Sequence, residues 1–126
     1  MAITDARPVL GFAKGVKTDT AATDAAVIDI PSRQYQVTGV TAYNASGNNS
    51  AATLSVRGGA GGTGTTIVAD AALTTHTAAN VASARTVAAT ALTPIVTDDK
   101  LYVRVGTASG VAGSTVDVVI YGEVLP

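Results

Sequence analysis

The chain has no cysteine and no tryptophan, and only one histidine, one phenylalanine and one methionine in 126 residues. Without cysteine there are no disulfides, no thiolate nucleophile and no cysteine-based zinc site. Charged residues make up 13% of the chain, about half the ~25% of an ordinary soluble domain. The net charge of −1 gives no basic footprint for nucleic acid. Arg57, Arg85 and Arg104 are scattered, and aromatics are 4% of the chain, so a stacking groove for single strands is not expected either. No apolar run approaches the ~18 residues of a membrane helix. The first residues, Met-Ala-Ile-Thr-Asp-Ala-Arg-Pro, lack the basic and apolar regions of a conventional signal peptide.

What the chain does have is alanine, threonine, valine and glycine, which together exceed half of its residues. Valine and threonine are β-branched and favour the pleated state, while Gly, Asn and Ser clusters between Val-rich runs read as turns. Strands are expected at residues 26–30, 35–43, 52–57, 65–69, 100–105 and 115–121. In the second of these Tyr35, Val37, Thr41 and Tyr43 are assigned to one face. Leu101, Val103 and Val105 point inward in the fifth, and Val116, Val118 and Ile120 in the sixth. Residues 70–92 are read as a short turn or helical piece followed by a strand near residues 85–92. Seven or eight strands joined by turn-rich loops predict an all-β antiparallel sandwich or jelly roll. Residues 1–24 follow no clean period and read as an N-terminal extension or arm, with one sandwich domain over residues 25–126.

Candidate chemistry is sparse. Nucleophilic catalysis needs a base beside a hydroxyl, and His76 alone could supply one; it reads as a loop or surface histidine. Asp98 and Asp99 are the one acidic pair, and they read as a solvated turn rather than a hard-cation site. Asp29, Asp70 and Glu123 are too far apart in sequence to announce a glycosidase pair. Gly59-Ala60-Gly61-Gly62-Thr63-Gly64 matches G-x-G-x-x-G in form. It precedes a strand-like Thr-Thr-Ile-Val instead of a helix, and so reads as a hairpin loop. No catalytic residue, metal site or cofactor is assigned, and the chain is not expected to be an enzyme.

Small apolar side chains also limit the core of one copy, since a buried Val or Leu contributes about 1.5–3 kcal/mol and an Ala much less. Association with further copies, or with a larger assembly, would add burial where the fold is short of it, and sparse charge suits an interface core.

Tyr-Gln-Val-Thr-Gly-Val-Thr-Ala-Tyr-Asn-Ala-Ser at residues 35–46 resembles a strand and loop of tailed-phage virion proteins. The run from Leu101 to Gly122 resembles their closing hairpin, and the glycine-rich hairpin with Thr-Ile-Val-Ala-Asp-Ala-Ala is similar as well. The likeness is to small capsid decoration (cement) proteins with jelly-roll-like folds. It implies a virion structural protein on the capsid surface, made in the host cytoplasm. Its partners would be the major capsid protein and itself, as a homotrimer or homodimer, with no nucleic acid and no membrane. That family carries no catalytic residues. Residues 1–24 lie outside the likeness; within them Arg7, Phe12 and Lys14 are the candidate capsid-gripping residues. The alternative is another virion component, a head fibre, tail or baseplate part, that binds a host glycan through exposed Tyr and Asn side chains in its loops.

Overall fold

A computed structural model describes residues 9–30, 34–87 and 99–124. Among the described residues eight strands run in chain order: β1 (Val9–Lys17), β2 (Thr23–Asp29), β3 (Tyr35–Tyr43), β4 (Thr53–Gly59), β5 (Thr63–Ala72), β6 (Ser83–Arg85), β7 (Lys100–Thr107) and β8 (Thr115–Val124). They form two four-stranded sheets, β1-β8-β3-β6 and β2-β7-β4-β5, and every pairing is antiparallel. The fold is the expected all-β sandwich. First pairs with last, second with seventh, third with sixth and fourth with fifth. The pairing is therefore nested, and the chain crosses from one sheet to the other between most successive strands.

The core lies between the sheets and is built from small β-branched residues. Val16, Val37, Val40, Val103, Val105, Val116 and Ile120 are all buried, and Tyr35 is the one buried aromatic residue among those described. The alternation expected of β7 and β8 holds, with Leu101, Val103 and Val105 inside on one and Val116, Val118 and Ile120 on the other. In β3 it breaks. Tyr35 and Val37 point inward, a register shift falls between Val37 and Gly39, and Val40 and Ala42 take over the core. A β-bulge inserts one residue and exchanges the faces beyond it. Thr41 and Tyr43 therefore point outward, against the single-face assignment made from strict alternation.

Residues 9–24 are not an arm. Val9–Lys17 is a full edge strand on β8, with Ala13 and Val16 in the core, and β2 begins at Thr23. Gly11 and Gly15 hid this strand in the sequence, because they mark two bulges in its register. At Gly15 the backbone is left-handed, with φ +65°. Between β5 and β6 no helical stripe forms. Residues 73–82 are turns, and the predicted strand near 85–92 meets the structure only at the last residue of β6, since residues 88–92 lie outside the described residues. The glycine-rich run is a hairpin, as expected, with one 3-10 turn at Ala60–Gly62. There Gly64 has φ +75°, and a Cβ on it would stand 2.6 Å from the Gly59 nitrogen.

The loops after β1, β3, β5 and β7 gather at one end and are fastened by a buried chain of hydroxyls. Ser109 Oγ lies 2.6 Å from Ser114 Oγ, which lies 2.7 Å from Thr18 Oγ1. Thr18 Oγ1 donates to Asn49 Oδ1, and Asn49 Nδ2 donates to the Thr115 carbonyl at 2.9 Å. Every member has a partner, which is the condition for a buried polar network to hold a fold together instead of weakening it.

The edge-strand finding fixes the outcome of truncation. Removing residues 1–14 strips more than half of β1 and bares the edge of β8. Urea unfolding of that truncation is expected to show a loss of at least about 3 kcal/mol, whereas removal of residues 1–8 leaves β1 whole and changes stability by less than about 1 kcal/mol.

Candidate functional site: an apolar outer face and a polar cleft

The two outer faces of the sandwich differ. Residues opposite each other on antiparallel strands share a face, so the registers sort the exposed side chains. On the β2-β7-β4-β5 sheet the outer rows pair Asp24 with Arg104, Asp29 with Lys100 and Arg57 with Tyr102. Arg104 Nη1 lies 3.3 Å from Asp24 Oδ1, and Lys100 Nζ lies 2.8 Å from Asp29 Oδ1. Val27 stands opposite Tyr102 and is the large apolar exception on this otherwise charged surface. The Lys100 pair is exposed and contributes little.

The outer face of β1-β8-β3 is apolar at its centre. One row joins Phe12, Val119 and Thr41, and the next joins Val9 and Tyr121. Phe12 is 57% exposed and Val9 55%, while Val119 beside Phe12 is nearly buried. Tyr43 stands opposite Asp117 in the row beyond Val119. Desolvation, then the Asp117 carboxylate and the Tyr121 phenol, push the Tyr43 phenol above its ordinary 10.0. Asp117 is itself nearly buried, accepting from the Gly15 backbone nitrogen at 2.8 Å and from Asn44 Nδ2 at 3.0 Å.

Of the residues singled out in the sequence, Phe12 lies at the middle of this face, and the exposed Lys14 follows it two positions along β1. Arg7 lies outside the described residues. Tyr43, Val119 and Tyr121 were missed. Their signal is the period-2 row 117-119-121 on β8, joined to Thr41 and Tyr43 only once the β3 bulge is placed. Three of the loop asparagines are hydrogen-bonded within the chain. Asn44 serves Asp117, Asn49 is buried, and Asn48 Oδ1 accepts from the Ser50 nitrogen and hydroxyl.

A second feature lies between the free edges of β5 and β6. A cleft of about 360 Å³ is lined by Ala71, Ala72, Thr74, Ser83 and Arg85 among others. Behind it His76 is fully buried, not a surface histidine, and its Nε2 stands 2.7 Å from Ser83 Oγ. The distance suits a nucleophile and base, but the surroundings oppose that chemistry. His76 Nδ1 is buried without a partner, so no carboxylate orients the ring. Arg85 Nη1 donates to Ser83 Oγ at 3.1 Å, and Arg85 Nη2 donates to the Ala72 carbonyl at 2.9 Å. Burial, then the Arg85 guanidinium, hold the imidazole below its ordinary 6.5. A proton taken from Ser83 would create a buried cation beside the half-buried Arg85 guanidinium.

The remaining candidates stay apart. Asp29 and Glu123 are on the outer faces of opposite sheets, and Asp70 accepts from Thr53 Oγ1 at 2.9 Å. Asp98 lies outside the described residues. No three His, Cys, Asp or Glu side chains converge on a metal position among the described residues. The chain matches no known family, no curated protein and no solved structure.

The histidine carries a pH dependence. Its folded pKa is depressed, so the unfolded chain binds the proton more tightly, and stability falls as pH drops below about 6.5. Thermal melts between pH 7.5 and 5 are expected to show this slope in the parent chain. In His76→Gln, which has no titrating ring, the slope is expected to flatten.

Proposed function

We propose that this chain is a virion structural protein that decorates a phage capsid and stabilises it by bridging major capsid protein subunits. The observation that supports this reading most is the apolar outer face of β1-β8-β3. A protein with so few aromatic residues leaves its single phenylalanine in the open, on a rigid sheet, where contact with another surface is the benefit it can bring. The cleft between β5 and β6 has a histidine and a serine beside it in an arrangement that resists proton transfer. The chain reads as an adhesive module and not an enzyme.

The nested pairing of first with last strand supports reading the sandwich as a jelly roll, the architecture that the phage resemblance implies. The segments that carry that resemblance fall on β3, on the β4–β5 hairpin, and on β7 and β8, which are central strands of opposite sheets and do not form the closing hairpin expected of them. Arg7, which precedes β1 in the sequence, is the charged residue proposed to contact the shell.

Head binding tests this reading. Purified heads lacking this chain are mixed with the full-length protein, with a form missing residues 1–8, and with Arg7→Glu, then sedimented. The full-length protein is expected to co-sediment. The truncation and the charge reversal are expected to bind at least tenfold more weakly while melting like the parent. No binding of the full-length protein to heads contradicts the proposal, and glycan-array binding in its place favours a tail or fibre role.

A further inference from the structure

We propose that the cleft between the free edges of β5 and β6 binds a small monocarboxylate with a short aliphatic body. The site lies at the open side of the sandwich. It shares no residue with the apolar face, and it stands without the capsid reading.

On β6, Ser83 stands opposite Ala42 and Arg85 opposite Val40. Cross-strand partners share a face, and Val40 and Ala42 are buried in the core. Ser83 and Arg85 therefore occupy positions where a sandwich ordinarily carries apolar side chains. The Arg85 guanidinium is half-buried and lines the cleft. Its hydrogen bonds go to neutral acceptors: Ser83 Oγ at 3.1 Å, the Ala72 carbonyl at 2.9 Å and the Ala71 carbonyl at 3.4 Å. No carboxylate among the described residues pairs with it. Asp70, on the neighbouring β5, is held by Thr53 Oγ1 instead. A cation drawn out of water and left without a counter-charge is costly, and a guanidinium carries more N–H groups than these three bonds use.

Ser83 adds a second donor. Its Oγ already accepts from Arg85 Nη1, and His76 Nε2 stands 2.7 Å away. His76 Nδ1 is buried without a partner. A bare lone pair there costs less than a bare N–H, so the ring proton sits on Nε2 and is donated to Ser83. Both lone pairs of Ser83 Oγ are then taken, and its hydroxyl proton has no acceptor among the described residues. A guanidinium and a hydroxyl thus line one cleft with donors in excess, and an anionic oxygen pair completes them.

Charge and lining set the class of ligand. Arg85 supplies one positive charge, and His76, held below its ordinary pKa, is neutral at pH 7.5. A monoanion balances that charge, whereas a phosphate dianion exceeds it. Val68, Ala69 and Ala71 of β5 and Ala84 of β6 supply apolar lining with small side chains, which leaves room for an aliphatic tail. The cleft, about 360 Å³, is at the low end of the ~300–1,000 Å³ of ligand sites, a size for a small molecule.

Hexanoate is the probe, and His76, the single histidine of the chain, is the reporter. NMR titration of the full chain at pH 7.5 follows the imidazole resonances, with sodium chloride holding the ionic strength constant. Hexanoate is expected to shift them saturably with a Kd of about 0.5–5 mM, as suits so few contact atoms. Hexanol, which lacks the charge, and inorganic phosphate, which lacks the tail, are expected to bind at least tenfold more weakly. Arg85→Gln is expected to weaken hexanoate binding at least about tenfold. Arg85 also ties β6 to β5, so a second variant, Ala71→Leu, fills the cleft and leaves the guanidinium in place. It is expected to show the same loss with no fall in melting temperature. No saturable shift up to about 50 mM hexanoate overturns the proposal. So does hexanol or phosphate binding as tightly as hexanoate, or an undiminished affinity in either variant. These constants come from the free protein, so their failure is separate from a failure of head binding.

Discussion

Asp117 is the constraint on which the apolar face depends. It lies on β8, the strand paired on both sides in its sheet, and it is nearly out of water. A carboxylate in that position must be met by donors, because an unsatisfied buried charge is costly. It is met on one side by the Gly15 nitrogen of β1 and on the other by the Asn44 amide just past β3. Both of those residues have left-handed backbone, φ +65° at Gly15 and +53° at Asn44. The carboxylate thus fixes the bulge that returns Val16 to the core and leaves Lys14 outside. It also fixes where β3 ends, and with that the position of Tyr43 beside it. One side chain holds three neighbouring strands in the register that makes their outer surface continuous.

That surface is the counterpart of a modest interior. The core is mostly valine, alanine and isoleucine, with three leucines and one buried tyrosine among the described residues, and the loop end is closed by hydroxyls and one amide in place of apolar bulk. The two sheets then divide the remaining roles. One outer face is laced with ion pairs and solvated. The other has its charges at the ends and its apolar groups in the middle. The edges are blunted in different ways: β1 is bulged twice, and β6 is three residues long. Bulged and short edges resist uncontrolled strand addition.

The class of fold was legible in the sequence because β-branched residues alternate cleanly in β4, β7 and β8. Those strands carry few bulges in the stretches that face the core, so period 2 survives. It failed in β3, where the extra residue between Val37 and Gly39 reverses the faces, and an observer counting by twos assigns Tyr43 to the wrong side. It failed again in β1, where two glycine-marked bulges erase the alternation and make a strand look like a tail. His76 was misjudged for another reason. Its neighbours Thr74, Thr75 and Thr77 are polar, and only the tertiary fold brings Ser83 and Arg85 to it. Phe12 and Lys14 were picked out as members of an N-terminal segment read as a capsid-gripping arm. The partners that make a surface of them sit more than a hundred positions away on β8, a proximity that no local pattern encodes.

Cryo-electron microscopy of intact particles tests the central claim most directly. The account predicts density for an eight-stranded sandwich on the outside of the head shell. The β1-β8-β3 face should lie toward the major capsid protein. A head shell bare of this chain, or density confined to the tail, contradicts it.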